Sequence, residues 1–109
     1  MFVFEAPIDL LSYISLHPQN WKQHSYVALN GVSEQPVLKL LELYPQLQSV
    51  SLCLDNDEAG RKAASRIHKT LKEQGFDAVV YDVSAHKDWN DDLKAVCLQE
   101  QTTPAMVMR

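Results

Sequence analysis

The stretch from residue 49 to residue 75, SVSLCLDNDEAGRKAASRIHKTLKEQG, constrains the fold more than any other part of the chain. A short apolar run without alternation is typical of a central parallel strand, so residues 50–54 are predicted to form a strand that is buried on both faces. Asp55 and Asp57 follow the carboxyl end of this strand, which is the edge where open α/β sheets bind ligands. Because hard cations prefer carboxylate oxygens, the pair predicts an Mg²⁺ or Mn²⁺ site.

A long amphipathic helix is predicted directly after this pair, over residues 58–74, with Gly75 as the residue that follows its end. At 3.6 residues per turn, its apolar face consists of Ala63, Ala64, Ile67 and Leu71. The opposite face holds half of the 10 Lys and Arg residues, namely Arg61, Lys62, Arg66, Lys69 and Lys72. Such a basic face is either a solvated surface or a track for nucleic acid, and the sequence leaves both interpretations open.

The segments before this region predict two further strands and two helices. Residues 2–4 form a strand that ends at Glu5, and a helix follows from Ala6-Pro7 to about His17. The core face of that helix is predicted to be Ile8, Leu11 and Ile14, with Leu10 beside them. Residues 26–29 form the next strand, and a helix with Ser33 as its N-cap runs to about residue 43, with a core stripe of Val37, Leu38, Leu40 and Leu41.

After the long helix, residues 78–81 predict a fourth strand, and a short helix covers about residues 93–99. The resulting order predicts an α/β fold of the Rossmann-like kind, with a roughly four-stranded parallel sheet and helices on both faces. If the first and third strands are neighbours, Glu5 lies within reach of Asp55 and Asp57. The tail from about residue 102 is expected to be loose.

Length and composition limit the class of protein. The 109 residues suit a single domain over residues 1–109, and no apolar run is as long as a membrane span. Without a basic leader before the first apolar residues, a cytoplasmic location is expected. The two cysteines form no Cys-x-x-Cys pair and are interpreted as buried reduced thiols. A net charge of −4 argues against strong nucleic-acid binding by the whole surface, so such binding would be local or metal-mediated.

The acidic residues also have structural interpretations. Asp55 and Asp57 could serve only as an N-cap and a first-turn acid of the following helix. Residues 55–60, DNDEAG, imitate the start of a calcium-binding EF loop. The twelfth position of that loop is Arg66 instead of Glu, which excludes such a calcium site. In the late segment, Asp91 or Asn90 is either a cap of the last helix or, for Asp91, a metal ligand.

Three blocks resemble a Toprim domain, the metal-binding catalytic module of bacterial replicative primases, of type IA and type II topoisomerases and of some nucleases. They are FVFEAPIDLLSYISL, LCLDNDEAGRKAASRI and KDWNDDL. The middle block is similar to the primase form, as is YVALNGVSEQPVLKLL between the two acidic strands. The KDWNDDL ending resembles the Toprim-like domains of mobile-element and plasmid primases, and the matches span nearly the whole chain.

The resemblance implies specific roles for the acidic residues. Glu5 would act as a general acid/base or as a metal ligand, while Asp55 and Asp57 would hold Mg²⁺. Asp88 and Asp91 would reach a second metal ion. The family pattern has Gly after the first Glu, and this chain has Ala6 there.

The resemblance also implies partners. Arg61 would contact a phosphate, and Lys62 and Lys87 are the other candidates for contact with nucleic acid. The expected partners are nucleic acid, above all DNA, then nucleotides, and the other domains of a longer primase or mobilisation protein.

Two classes of function remain open for such a domain. The first is an enzyme module for phosphoryl transfer on nucleic acid, by nucleotide addition or by strand cleavage. The second is a binding module that holds a nucleotide, a primer end or a metal ion without turnover. A phosphoacceptor domain of the receiver type is a third, weaker option, because it expects five strands and this chain offers four.

Overall fold

The computed structural model describes residues 1–30 and 33–101, so the predicted loose tail lies outside the described residues. Strands and helices alternate along the chain as the sequence predicts. The elements are β1 (Phe2–Phe4), α1 (Pro7–Leu16), a 3₁₀ turn (Trp21–Gln23), β2 (Tyr26–Ala28), α2 (Gln35–Leu43), β3 (Val50–Leu52), α3 (Glu58–Glu73), β4 (Val79–Tyr81) and α4 (Trp89–Gln101). None of the described helices is long and apolar enough to cross a membrane.

All four strands form one parallel sheet in the order β2-β1-β3-β4. In its centre β1 pairs with β3, with Phe2 opposite Ser51 and Val3 opposite Leu52. The α/β fold and the adjacency of the first and third strands are therefore confirmed. The chain leaves β1 and β3 at the same edge of the sheet, and this edge is the topological switch point where such sheets bind ligands.

Each face of the sheet packs against one pair of helices. Val3 and Leu52 belong to a core shared with α2 and α3, whereas Phe4 and Cys53 belong to a second, aromatic core with Tyr13 of α1 and Trp89 of α4. Successive residues of a strand point to opposite faces, so both central strands are buried on both sides. The prediction of helices on both faces is confirmed.

The predicted core face of α1 is wrong for Ile8 and Leu11, which are 53% and 60% exposed, whereas Leu10 packs against the aromatic core and Ile14 is half-buried. The fully buried residues of this helix are Asp9, Ser12 and Tyr13. Polar partners compensate for this burial: the Tyr13 hydroxyl donates to the Asp82 carboxylate (2.9 Å), and Ser12 Oγ donates to the Ile8 carbonyl (2.7 Å). A buried polar group that keeps its hydrogen bonds costs little, so the sheet can accept this face.

The structure also corrects two helix starts. α4 begins at Trp89, four residues before the predicted start at 93, because acidic side chains favour a helix N-terminus and the Trp89 indole anchors that turn by donating to the Cys53 carbonyl (3.1 Å). α2 has Glu34 as its N-cap instead of the predicted Ser33. Ser33 Oγ accepts a hydrogen bond from the Gln35 backbone amide (3.4 Å).

Three smaller predictions can be compared with the structure directly. The apolar face of α3 is confirmed, because Ala64, Ile67 and Leu71 are buried in the core. Gly75 follows that helix with φ 83°, a conformation that favours glycine, as predicted. Both cysteines are free thiols, as predicted. The predicted burial is confirmed for Cys53 and is wrong for Cys97, which is exposed.

Candidate metal centre

Glu5, Asp55 and Asp57 converge at the carboxyl edge of the two central strands. Each residue offers a carboxylate oxygen, and these oxygens all lie within 4.8 Å of one another. The position of Glu5 follows from the sheet, because it comes directly after β1 and its carbonyl accepts from the Asn30 amide (2.6 Å) beyond β2. Three acidic oxygens this close together form a set that can hold a divalent cation.

A second group of carboxylates shares Asp55 with the first. Oxygens of Asp9, Asp55 and Asp88 also lie within 4.8 Å of one another. Asp9 is only 4% exposed and belongs to the first turn of α1. The sequence interpretation missed Asp9 because it treated α1 only as a helix that packs on the core. The available signal was the position of Asp9, about one helical turn after Glu5, which places its carboxylate near the same strand end.

Negative charge accumulates around Asp55. Burial raises the pKa of its carboxyl group to about 7, and the nearby charges of Glu5, Asp9, Asp88 and Asp57 add to the effect. Burial likewise raises the pKa of Asp9, although a hydrogen bond from the Asn90 amide (3.2 Å) opposes the shift. Over residues 1–30 and 33–101, no ion pair joins these five carboxylates to a basic side chain. A cation would therefore relieve the repulsion between them.

Two of these carboxylates also begin helices. Asp57 Oδ1 accepts from the Gly60 amide (2.7 Å) as the N-cap of α3, and Asp88 Oδ1 accepts from the Asp91 amide (2.8 Å) at the start of α4. Asp57 thus caps α3, while its proximity to Glu5 and Asp55 keeps it available as a ligand. A carboxylate has two oxygens and about four acceptor positions, so capping and metal binding are compatible.

The turn between β3 and α3 is unusually tight, and Gly60 makes it possible. A Cβ atom at Gly60 would lie 2.0 Å from the Asp55 carbonyl oxygen, closer than any two such atoms approach. Glycine is required at this position because the first turn of α3 packs directly on the backbone that carries Asp55. Ala6, where the family pattern has glycine, has φ −134° and ψ 152°, an extended conformation that any residue adopts.

Asn56, between the two aspartates, joins the two acidic loops. Its side-chain amide donates to the Ser84 carbonyl (2.9 Å), and its backbone amide donates to the Lys87 carbonyl (2.6 Å). These bonds fix the segment before α4, so that Asp88 lies beside Asp55. The middle residue of the Asp-x-Asp pair is therefore a positioning residue, which the sequence interpretation did not anticipate.

The structure does not bring the other sequence candidates into either carboxylate group. Asp91 lies in the first turn of α4, outside both groups of described residues. Arg61 is exposed near the site, and its Nη1 donates to Asn56 Oδ1 (3.1 Å). Lys62 is exposed and forms an ion pair with Glu58 (3.0 Å), whereas Lys87 is exposed on the loop before Asp88.

The chain is similar to curated proteins that carry the name uncharacterized protein. One from Bacillus anthracis is 31% identical over 112 residues, which cover 90% of this chain and 33% of that protein. One from Mycoplasma pneumoniae is 43% identical over 47 residues, which cover 42% of this chain and 22% of that protein. The matched segments thus span a third or less of the length of these relatives. No solved structure matches the chain.

The family comparison agrees with the fold and with the acidic edge. A sequence profile described as Toprim-like matches residues 2–93, from the first residue of β1 into α4. This match includes all five carboxylates of the candidate centre and the complete parallel sheet. Toprim domains are divalent-metal-binding domains of nucleic-acid-processing proteins, and this chain belongs to the Toprim-like family.

Proposed function

We propose that this domain is a metal-dependent phosphoryl- or nucleotidyl-transfer module that acts on nucleic acid, in the manner of a primase-like Toprim domain. The observation that carries the proposal is the convergence of Glu5, Asp55 and Asp57 at one sheet edge, with Asp55 shared by a second acidic group. Carboxylates that are partly removed from water are stabilised by a positive charge, and these five have no ion-pair partner among the described residues.

Asp55 and Asp57 are proposed as ligands of one Mg²⁺ or Mn²⁺ ion, and Asp9 and Asp88 as ligands of a second ion that also uses Asp55. Ions held by these residues would supply positive charge that neutralises a phosphate group and stabilises the oxygens of its transfer. Oxygen donors alone, with no His or Cys in either group, suit hard cations. Asp91 would contribute through its charge at the start of α4 and through the hydrogen bond that its backbone amide donates to the Asp88 carboxylate.

Glu5 is proposed as the residue that moves a proton. It lies between β1 and α1, next to the proposed ligands, and the N-cap of α1 is Ala6, so the Glu5 side chain does not cap that helix. A carboxylate within hydrogen-bond reach of the reacting oxygen can act as a general acid or base. The alternative role for Glu5 is that of a third ligand to the Asp55–Asp57 ion.

Contact with nucleic acid is proposed to be local. Of the basic face of α3, Lys62 pairs with Glu58 and Arg66 pairs with Glu34 (3.6 Å), which reduces its positive charge. Arg61 and Lys87 lie closer to the carboxylates and are the proposed phosphate contacts. Because the chain covers a third of its Bacillus relative, further domains of a longer cytoplasmic protein, of the replicative or mobile-element primase type, would supply the remaining DNA and nucleotide contacts.

A binding module without turnover is the second candidate function. Asp57 and Asp88 each use one oxygen to accept a backbone amide, and this role reduces the negative charge available to a metal ion. A domain with this geometry could hold a metal-bound nucleotide or strand end without reaction. A Toprim-type nuclease would differ from a nucleotidyltransferase in its product, and the same ligands would serve both.

A calorimetric titration with Mn²⁺ tests the metal centre. We expect the double variant Asp55→Asn, Asp57→Asn to bind Mn²⁺ at least about a hundredfold more weakly, because both anionic ligands are lost. Asn also caps helices well, so the start of α3 should persist. Asp77→Asn, on the loop before β4, is the matched control and should bind like the unchanged chain. An unchanged isotherm for the double variant would show that the pair is only structural.

Replacement of Glu5 by Gln separates the enzyme from the binding module. In the full-length parent protein, turnover at saturating Mn²⁺ should fall by roughly a hundred- to ten-thousandfold, the usual contribution of a general acid or base. Gln keeps the shape and removes the proton chemistry. Recovery of turnover with excess metal would assign Glu5 as a ligand, and unchanged turnover would contradict its catalytic role.

A further inference from the structure

A pocket of about 200 Å³ lies beside the acidic centre, between the first turns of α3 and the end of β4. Its lining includes the core residues Leu52 and Leu54 together with Asp55, Arg61, Tyr81 and Val83. Asp55 thus belongs both to this pocket and to the two carboxylate groups. Whatever occupies the pocket would lie next to a metal ion at that residue.

The walls of the pocket are apolar, and one of them is aromatic. β4 is an edge strand of the sheet, and two pocket residues at its end are half exposed, Tyr81 in the strand at 51% and Val83 just after it at 56%. The Tyr81 hydroxyl lies 2.8 Å from His68 Nδ1, and the two rings meet at 81° with their centroids 5.4 Å apart. These contacts hold a flat aromatic ring in the wall of the pocket.

Two charged residues, Asp55 and Arg61, contribute to the lining of the pocket. They lie on either side of the start of α3, and the Arg61 guanidinium donates to Asn56 Oδ1 (3.1 Å). A largely apolar cavity whose lining includes an aromatic residue, a candidate metal-binding carboxylate and a cation matches a ligand with a flat, weakly polar part and an anionic part. A purely apolar side chain or lipid tail would not make use of the two charged residues.

We propose that this pocket receives the nucleobase of the nucleotide whose phosphate binds at Asp55. The inference rests on the proposed function, because it needs a metal-bound phosphate beside Asp55. Aromatic side chains stack on bases with little regard to sequence, so the pocket would raise affinity without selecting strongly among bases. The base belongs either to a free nucleotide or to the end of a single strand, and both sources present the same chemistry.

The test compares ligands with and without a base. With Mn²⁺ in excess over all phosphate, the affinity of the 109-residue chain is measured for ATP, for inorganic tripolyphosphate and for a single-stranded trinucleotide. We expect ATP to bind about tenfold more tightly than tripolyphosphate, the usual effect of one stacked base. Val83→Trp, which fills the pocket from an exposed position, and Tyr81→Leu, which removes the ring, should each abolish this difference.

Val80→Trp is the matched control. Val80 is 57% exposed, precedes Tyr81 in β4, and points to the opposite face of the sheet, away from the pocket. Its replacement should leave the preference for ATP intact. Circular dichroism of all three variants verifies the fold, and Tyr81→Leu still tests the pocket if Val83→Trp disturbs the structure.

The outcomes separate the pocket from the metal centre. The pocket is supported if Val83→Trp and Tyr81→Leu lose the gain in affinity that the base provides and Val80→Trp keeps it. A loss for ATP assigns the pocket to a free nucleotide, and a loss for the trinucleotide alone assigns it to a strand end. Equal binding of ATP and tripolyphosphate, together with a trinucleotide affinity that Val83→Trp does not change, overturns the pocket and leaves the metal centre standing. If no phosphate ligand binds with Mn²⁺, the proposed function fails and the pocket assignment fails with it.

Discussion

Helices α1 and α3 occupy equivalent places in the chain but bury different kinds of surface. Each follows a central strand, with an acidic residue between strand and helix, and each packs against the sheet. α3 buries Ala64, Ile67 and Leu71, whereas α1 buries Asp9 and Ser12 together with the aromatic Tyr13. The comparison shows that of two helices beside one site, one can bury an apolar face while the other also positions polar groups.

The polar face of α1 is held by residues that are distant in sequence. Asp9 accepts from the Asn90 amide, and Ser12 Oγ lies 3.3 Å from Asn90 Oδ1, which fastens α1 to the first turn of α4. Since α4 begins beside Asp88, the same contacts bring Asp9 and Asp88 together at Asp55. The loss of apolar burial on α1 is thus linked directly to the assembly of the second acidic group.

Truncation of one apolar residue on each helix should give the largest contrast. Ile67→Ala removes a fully buried side chain from the core and should lower the free energy of unfolding by about 3 kcal/mol. Leu11→Ala removes a side chain that is 60% exposed and should change it by about 0.5 kcal/mol or less. Urea unfolding of both variants measures the difference. Equal losses would show that the exposed side of α1 is packed in solution, and the contrast between the two helices would be wrong.

The sequence predicts α3 well and α1 poorly for a physical reason. In α3 the hydrophobic period and the buried face coincide, so Ile67 and Leu71 could be assigned from spacing alone. In α1 the apolar residues Ile8 and Leu11 also follow a helical period, but they face outwards. No local pattern shows that Asp9 meets a partner 81 residues later.

The candidate centre was predictable where topology determines it. Glu5 and Asp55 end two strands that a parallel sheet with right-handed crossovers can place side by side, and the structure pairs those strands. Asp9, the linking role of Asn56 and the need for glycine at position 60 depend on close contacts between loops, for which single-sequence patterns carry little signal. The early start of α4 was missed because an acidic cluster suits a loop as well as a first helical turn.

A smaller effect is expected in the pH dependence of stability, to which Asp9 of α1 and Asp55, before α3, both contribute. Both Asp55 and Asp9 have pKa values above their ordinary range in the folded state, that of Asp55 about 7. Between about pH 5 and pH 8 the folded, metal-free chain therefore binds more protons than the unfolded chain, and its stability should fall as the pH rises. Because solvent screens the partly exposed Asp55, the loss should be on the order of 1 kcal/mol.

Asp9→Asn should reduce this pH dependence and make the metal-free chain more stable at about pH 8. The variant removes one charge from around Asp55 and keeps an oxygen that can accept from the Asn90 amide. Urea unfolding with a chelator at about pH 5.5 and about pH 8 measures the effect, and Asp77→Asn reports the background from an aspartate on the loop before β4. Repetition with saturating Mg²⁺ should reverse the order, because the unchanged chain then gains binding energy that the variant partly lacks. Two results would show that the polar face of α1 contributes to the core and not to a metal centre. One is a metal-free chain whose stability rises with pH, and the other is an Asp9→Asn variant that is destabilised at the higher pH.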